Sequence, residues 1–244
     1  MLMAHTEQLI VKLRTNMRTK ALLLAAATAA FGLTSQAQTN LYSVNVVGYV
    51  NISLPANKYI LLNNPLDAGN NVITNVIKDT LPDSVFLYPY VNGVGFDNAE
   101  QYIDGFGWFP GTNILTPGKG SFIVSPVTTN FTLVGSVIQG TSSNALVTGY
   151  SLTGSKSPVS FPVGAAGFTS STNTLTIPAA DGDNIYLWNT NSQTYVDAIQ
   201  YVGGFGWFDP NSVYDTNGPV PKVGEAFFIY KAAGAPWVEN FIVQ

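Results

Sequence analysis

The sequence predicts an all-β protein made of two tandem, similar antiparallel β-sandwich modules of jelly-roll type behind a cleaved signal peptide. Three observations predict it. Beyond residue 40, short aliphatic, β-branched and aromatic runs are separated by clusters of Asn, Gly, Pro, Asp and Ser, the pattern of strands and turns. Charged residues make up only 10% of the chain, leaving little to furnish the outer faces of surface helices. Lastly, Gly105-Phe106-Gly107-Trp108-Phe109-Pro110 returns as Gly204-Phe205-Gly206-Trp207-Phe208-Asp209-Pro210, and such recurrence marks a unit built twice.

At the N-terminus, Arg14, Arg18 and Lys20 precede the apolar stretch Ala21 to Leu33 and then Ser35-Gln36-Ala37, with small residues where a signal peptidase reads. Residues 1–37 are therefore expected to be a signal peptide cleaved after Ala37, with Met17 an alternative start. The apolar run is about 13 residues, short of the roughly 20 that span a bilayer. The first module is expected over 40–137 and the second over 138–244. Val47-Gly48-Tyr49-Val50 opens the first, and Val134-Gly135-Ser136-Val137 stands at the seam, where a shared strand and a very short linker are both consistent with the pattern.

Within the modules, Val85-Phe86-Leu87-Tyr88 aligns with Ile185-Tyr186-Leu187-Trp188, Tyr102 to Phe109 with Tyr201 to Phe208, and Gly118 to Val124 with Gly224 to Tyr230. Asp104-Gly105 and Gly203-Gly204 suit two-residue type I′ hairpins, and Asn92-Gly93 suggests another. Pro110 and Pro210 close the strands before them, because proline donates nothing to a ladder. Asn70 to Ile77 is the best stretch for a helical turn or two, with a weaker one at Asp97 to Ile103.

Composition excludes several kinds of function. After residue 37 there is no His, Cys or Arg, so no Ser/His or Cys/His nucleophile pair, histidine metal site or arginine clamp can be assembled. A non-enzymatic protein without cofactors is expected. Six lysines stand against 13 acids there, a net charge of −7 that disfavours nucleic acid and anionic lipid as partners. Without disulfides, about 200 residues must draw their stability from an apolar core. No second apolar stretch is long enough for a membrane helix.

The recurrent aromatics are the candidate ligand-binding residues: Trp108 and Trp207 foremost, with Phe106, Phe205, Tyr102 and Tyr201 on the same hairpins. Such rings stack on the apolar faces of sugars, though large rings also dominate β-sandwich cores. A calcium site is the competing use of Asp83, Asp97, Asp181, Asp183 and Asp197, with Asp83 paired to Asp183 and Asp97 to Asp197. Turn-making is their plainer role.

The order of motifs, from Val-Asn-Val-Val-Gly-Tyr-Val through Tyr59-Ile60-Leu61-Leu62-Asn63-Asn64-Pro65-Leu66 and Gly-Phe-Gly-Trp to Pro-Gly-Lys-Gly-Ser-Phe-Ile-Val, resembles uncharacterised secreted β-repeat proteins of Verrucomicrobia and related bacteria. The resemblance covers nearly all of residues 40–244 and implies no catalytic residues. In the second copy, Tyr150-Ser151-Leu152-Thr153-Gly154-Ser155 replaces the Asn-Asn-Pro-Leu stretch. The expected function is a secreted or cell-surface protein with a structural or adhesive role. Its partners would be an extracellular glycan or a cell-surface protein. Carbohydrate binding through paired aromatic hairpins is the alternative, and an outer-membrane β-barrel the lesser one.

Overall fold

The structure is a computed structural model that describes residues 46–164 and 174–243. The expected signal peptide, with its cleavage point at Ala37, lies outside the described residues. What is described is nearly all β, with antiparallel strand ladders and one short helix. No helix among these residues is long and apolar enough to cross a membrane.

The first half of the chain runs β1 (Val47–Leu54), β2 (Ile60–Asn63), β3 (Leu66–Asp67), α1 (Ile73–Val76), β4 (Val85–Val91), β5 (Gly95–Phe96), β6 (Glu100–Ile103), β7 (Gly107–Phe109), β8 (Gly120–Val124) and β9 (Thr129–Val137). The second continues β10 (Gly140–Leu146), β11 (Gly149–Thr153), β12 (Asn184–Tyr186), β13 (Trp188–Asn189), β14 (Thr194–Tyr195), β15 (Ile199–Val202), β16 (Gly206–Phe208), β17 (Phe227–Lys231) and β18 (Ala235–Phe241). Two large sheets have the orders β2-β8-β4-β6-β7, with β5 paired to β4, and β11-β17-β12-β15-β16, and three small ones are β1-β9-β3, β10-β18 and β13-β14. Strand for strand, the two large sheets follow the same order. None of the sheets closes on itself, which removes the outer-membrane barrel.

Alternation along each strand decides what is buried. On β4, Val85, Leu87 and Pro89 point inward while Phe86, Tyr88 and Tyr90 point out. Val85 and Leu87 join Val50 and Ile52 of β1, Phe131 and Leu133 of β9, and Ile123 of β8 in one apolar cluster, which continues into Ile185, Phe227 and Trp237 of the second half. The core therefore does not stop at the seam. β9 ends at Val137 against β1 and β3, and β10 begins at Gly140 against β18, so no strand is shared across the seam.

Three expectations are corrected by the backbone. Within the Asp97 to Ile103 stretch, Glu100–Ile103 forms β6 instead of a helical turn, its alternate residues Glu100 and Tyr102 being buried against the sheet. The hairpin loops are three residues long, closed by Ile103↔Gly107 and Val202↔Gly206. Only the second central residue, Gly105 or Gly204, has positive φ, and the amides of Phe106 and Phe205 bond back to Ile103 and Val202. That is a type II turn, where glycine serves one position only. Third, the aligned strands are two residues out of step. Phe86, Leu87 and Tyr88 face Val124, Ile123 and Phe122, whereas Asn184, Ile185 and Tyr186 face Tyr230, Ile229 and Phe228. Tyr88 thus corresponds to Tyr186, Tyr90 to Trp188, and Asp83 to Asp181.

The halves hold each other by reciprocal bonds. The Asn63 amide donates to Gly224 O at 2.8 Å, and the Gly154 amide to Gly118 O at 3.1 Å. Bridges Leu62↔Glu225 and Lys119↔Thr153 repeat the exchange. Each half thus contacts the other with the same positions, as two units related by an approximate twofold axis do. Equivalent residues that meet at such an axis cannot both carry bulky side chains. Asn63 lies where a Cβ on its counterpart Gly154 would come within 2.4 Å, and a Cβ on Gly120 would come within 3.0 Å of its counterpart Ala226. Steric exclusion at the axis therefore accounts for Gly154 standing in the second copy where the first has Asn63.

Candidate functional site

The six aromatic candidates separate into core and tip. Trp108 is 7% exposed and Trp207 1%, each an inward residue of its hairpin. Tyr102 packs edge-on to Trp108 with ring centroids 5.6 Å apart, and Tyr201 does the same to Trp207 at 5.4 Å. Trp207 is covered by Gly164 and Gly218, where an added Cβ would come within 2.4 Å and 2.8 Å of its ring. Beside Trp207, Gly206 admits the protein's own backbone at Thr216, and burial of both tryptophans leaves neither a face for a ligand. Phe106 and Phe205, at the turn tips, are 81% and 58% exposed.

The aspartates are likewise dispersed among structural tasks. Asp83 accepts from the Asp104 amide and the Ser84 hydroxyl, which hold its carboxyl below the ordinary range, and Asp181 accepts from the Gly203 amide. Asp97 caps the Asn98 amide, and Asp197 accepts from the Asn211 side-chain amide. Asp183 is buried in an ion pair with Lys231. Among the described residues, no three acids or histidines gather where a metal could be held. Glu100, also buried, accepts from the amides of Gly111, Thr112 and Asn113 and so fixes the loop after β7.

Rings converge instead on the outward face of the large sheets. One pocket of about 340 Å³ is lined by Tyr59, Tyr88, Phe96, Phe122 and Trp188. A second, of about 380 Å³, is lined by Tyr150, Tyr186, Tyr195, Phe228, Tyr90 and Phe96. In the strand register above, the first five residues map one for one onto the first five of the second pocket. Geometry repeats with them. Phe122 meets Trp188 at 5.1 Å and 83°, and Phe228 meets Tyr90 at 4.9 Å and 88°. Tyr59 meets Tyr88 at 6.0 Å and 52°, and Tyr150 meets Tyr186 at 5.9 Å and 49°.

Each pocket borrows from the opposite half, the first Trp188 and the second its counterpart Tyr90 together with Phe96. Cross-half bonds fix those loans. The Trp188 indole N–H donates to Tyr59 O at 2.8 Å, the Gln193 side chain donates to the same carbonyl, and the Gly93 amide donates to Tyr150 O. Edge-to-face contacts suit the ring quadrupoles and hold the rings at steep angles, forming walls in place of a flat platform. These residues escaped the sequence reading, although alternation along β4 exposes Phe86, Tyr88 and Tyr90 together.

The only polar side-chain atoms lining the pockets are phenol hydroxyls and the indole N–H. Burial, then a hydrogen bond with Tyr59, pushes the Tyr88 phenol up, and burial, then Tyr150, does the same to Tyr186. Burial, then the neighbouring Tyr90, pushes Tyr195 up to about 12. A raised phenol contributes stability that is complete below the unfolded value of about 10 and is lost as pH rises through the folded value. Absorbance at 295 nm is therefore expected to show a set of tyrosines ionising well above pH 10, with the thermal midpoint falling between about pH 10 and pH 12. Simultaneous ionisation of all the tyrosines near pH 10 would contradict this environment.

Comparison with protein-family models, with curated proteins and with solved structures found no match for this chain.

Proposed function

We propose that the protein is a secreted, non-enzymatic binding protein of the cell surface, built of two tandem sandwich modules, whose twin aromatic pockets take the ring faces of a neutral glycan. The observation that carries this reading is the pair of matching pockets walled by rings, with hydroxyls as nearly their only polar groups. A sugar ring offers apolar C–H faces to stack on and hydroxyls at its edge, and tyrosine matches both, with a flat body and a hydroxyl that donates or accepts. No Lys, Asp or Glu lines either pocket, so an ionic ligand would surrender its hydration without a partner. Support for the two-module reading comes from the shared strand order of the large sheets and the reciprocal bonds between the halves.

The test is calorimetry and pull-down of residues 38–244 with a panel of neutral polysaccharides. Binding is expected to one or more members, to be abolished in Tyr88→Ala/Tyr186→Ala, and to persist in Phe106→Ala/Phe205→Ala, with circular dichroism showing both variants folded. Failure to bind any member, or equal binding by the pocket variant, would overturn the proposal.

A further inference from the structure

Resting on that reading, we infer that the two pockets bind a single linear glycan chain simultaneously, and accept it in either direction. The pockets adjoin, with Phe96 lining both. That ring stands 5.7 Å from Phe122 in one pocket and 5.1 Å from Tyr90 in the other, so it forms a partition common to both. A chain leaving one pocket over Phe96 enters the other without crossing a charged side chain, because none lines either pocket. A neutral polymer therefore fits the chemistry along the whole path.

Direction follows from symmetry. The approximate twofold axis that relates Tyr59 to Tyr150, Tyr88 to Tyr186 and Phe122 to Phe228 runs between the pockets and reverses the path from one to the other. A chain threading both shows its reducing end toward one pocket and its non-reducing end toward the equivalent other. Recognition must then use features that survive reversal. Ring faces do, and phenol hydroxyls rotate to donate or accept as required. Furthermore, neither half builds a complete pocket, since Trp188 and Tyr90 each serve the opposite half. Bivalent engagement raises the effective concentration of the second contact and multiplies affinity by roughly 10²–10⁴ without any new contact.

The experiment uses neutral oligosaccharides of one to eight sugars prepared from the polysaccharide retained in the panel. Short members are expected to bind at two per protein, and long members at one per protein with at least about a hundredfold higher affinity. Tyr88→Ala and Tyr186→Ala taken singly should each remove that gain while leaving one short-oligomer site. A nitroxide at the reducing end should broaden the amide signals of Phe122 and Phe228 alike. Affinity that does not rise with length, or two long chains bound per protein, would overturn the single-chain inference while leaving glycan binding intact. Broadening confined to one pocket would overturn its directional part. Absence of binding by every oligomer and by the parent polysaccharide would reject the functional reading itself.

Discussion

Trp207→Ala is expected to destabilise the protein by about 3–5 kcal/mol, the cost of removing a large ring from a core that cannot close over the space. The surroundings argue for the upper part of that range. Backbone at Gly164 and Gly218 lies directly against the ring, and Gly218 has φ of +79°, so the cover is set by turn geometry and cannot slide inward. The loss is a large fraction of the roughly 5–15 kcal/mol that holds a typical domain together. Trp207→Phe should cost markedly less. It keeps most of the ring and removes an indole N–H that has no hydrogen-bond partner, a group whose burial is itself unfavourable by about 1–3 kcal/mol. Phe205→Ala, two residues away at the exposed turn tip, should stay within about 0.5 kcal/mol of the parent. Urea unfolding followed by far-ultraviolet circular dichroism measures all three. A Trp207→Ala midpoint equal to the parent's would show that the ring is not part of the core.

The same residue shows what the sequence could and could not convey. That Trp207 and Trp108 sit on strands after glycine turns was legible, because period-two alternation and turn residues act locally. Which face of those strands is covered was not legible, since Phe-Gly-Trp-Phe is apolar on both faces and the covering loops lie elsewhere in the chain. Glycine beside tryptophan suggested an approach for a ligand, but the space is taken by the protein's own loop at 216–218. Register failed for a related reason. Leu87-Tyr88 and Leu187-Trp188 look equivalent in sequence, yet only pairing with Phe122 and Phe228 fixes the correspondence, and it moves by two residues. Such a shift preserves which side chains face inward, so alternation alone could not reveal it. The aromatic pockets combine both difficulties. Their rings come from strands far apart in sequence, and each pocket needs at least one ring from the other half.

Loss of either member of the Asp183–Lys231 pair is the second large effect expected. Both side chains are fully buried, and Lys231 also donates to Pro178 O at 2.6 Å while Asp183 accepts from the amides of Ala180 and Ala232. Lys231→Met leaves a carboxylate in the core without its counter-ion, and Asp183→Val strands an ammonium, so each alone should cost about 3–5 kcal/mol. The first half shows that the fold does not need the pair. Val85 and Ser125 stand at the equivalent positions, equally buried and without charge. Asp183→Val with Lys231→Met is therefore expected to recover most of the loss, because an apolar replacement of similar volume avoids the desolvation of two ions. The amides released from Asp183 belong to the exposed residues Ala180 and Ala232, where water can take the carboxylate's place. A double-mutant cycle on urea midpoints measures the coupling. Strictly additive losses would mean that the two side chains act independently and that burial of the pair is not what couples β17 to the turn before β12.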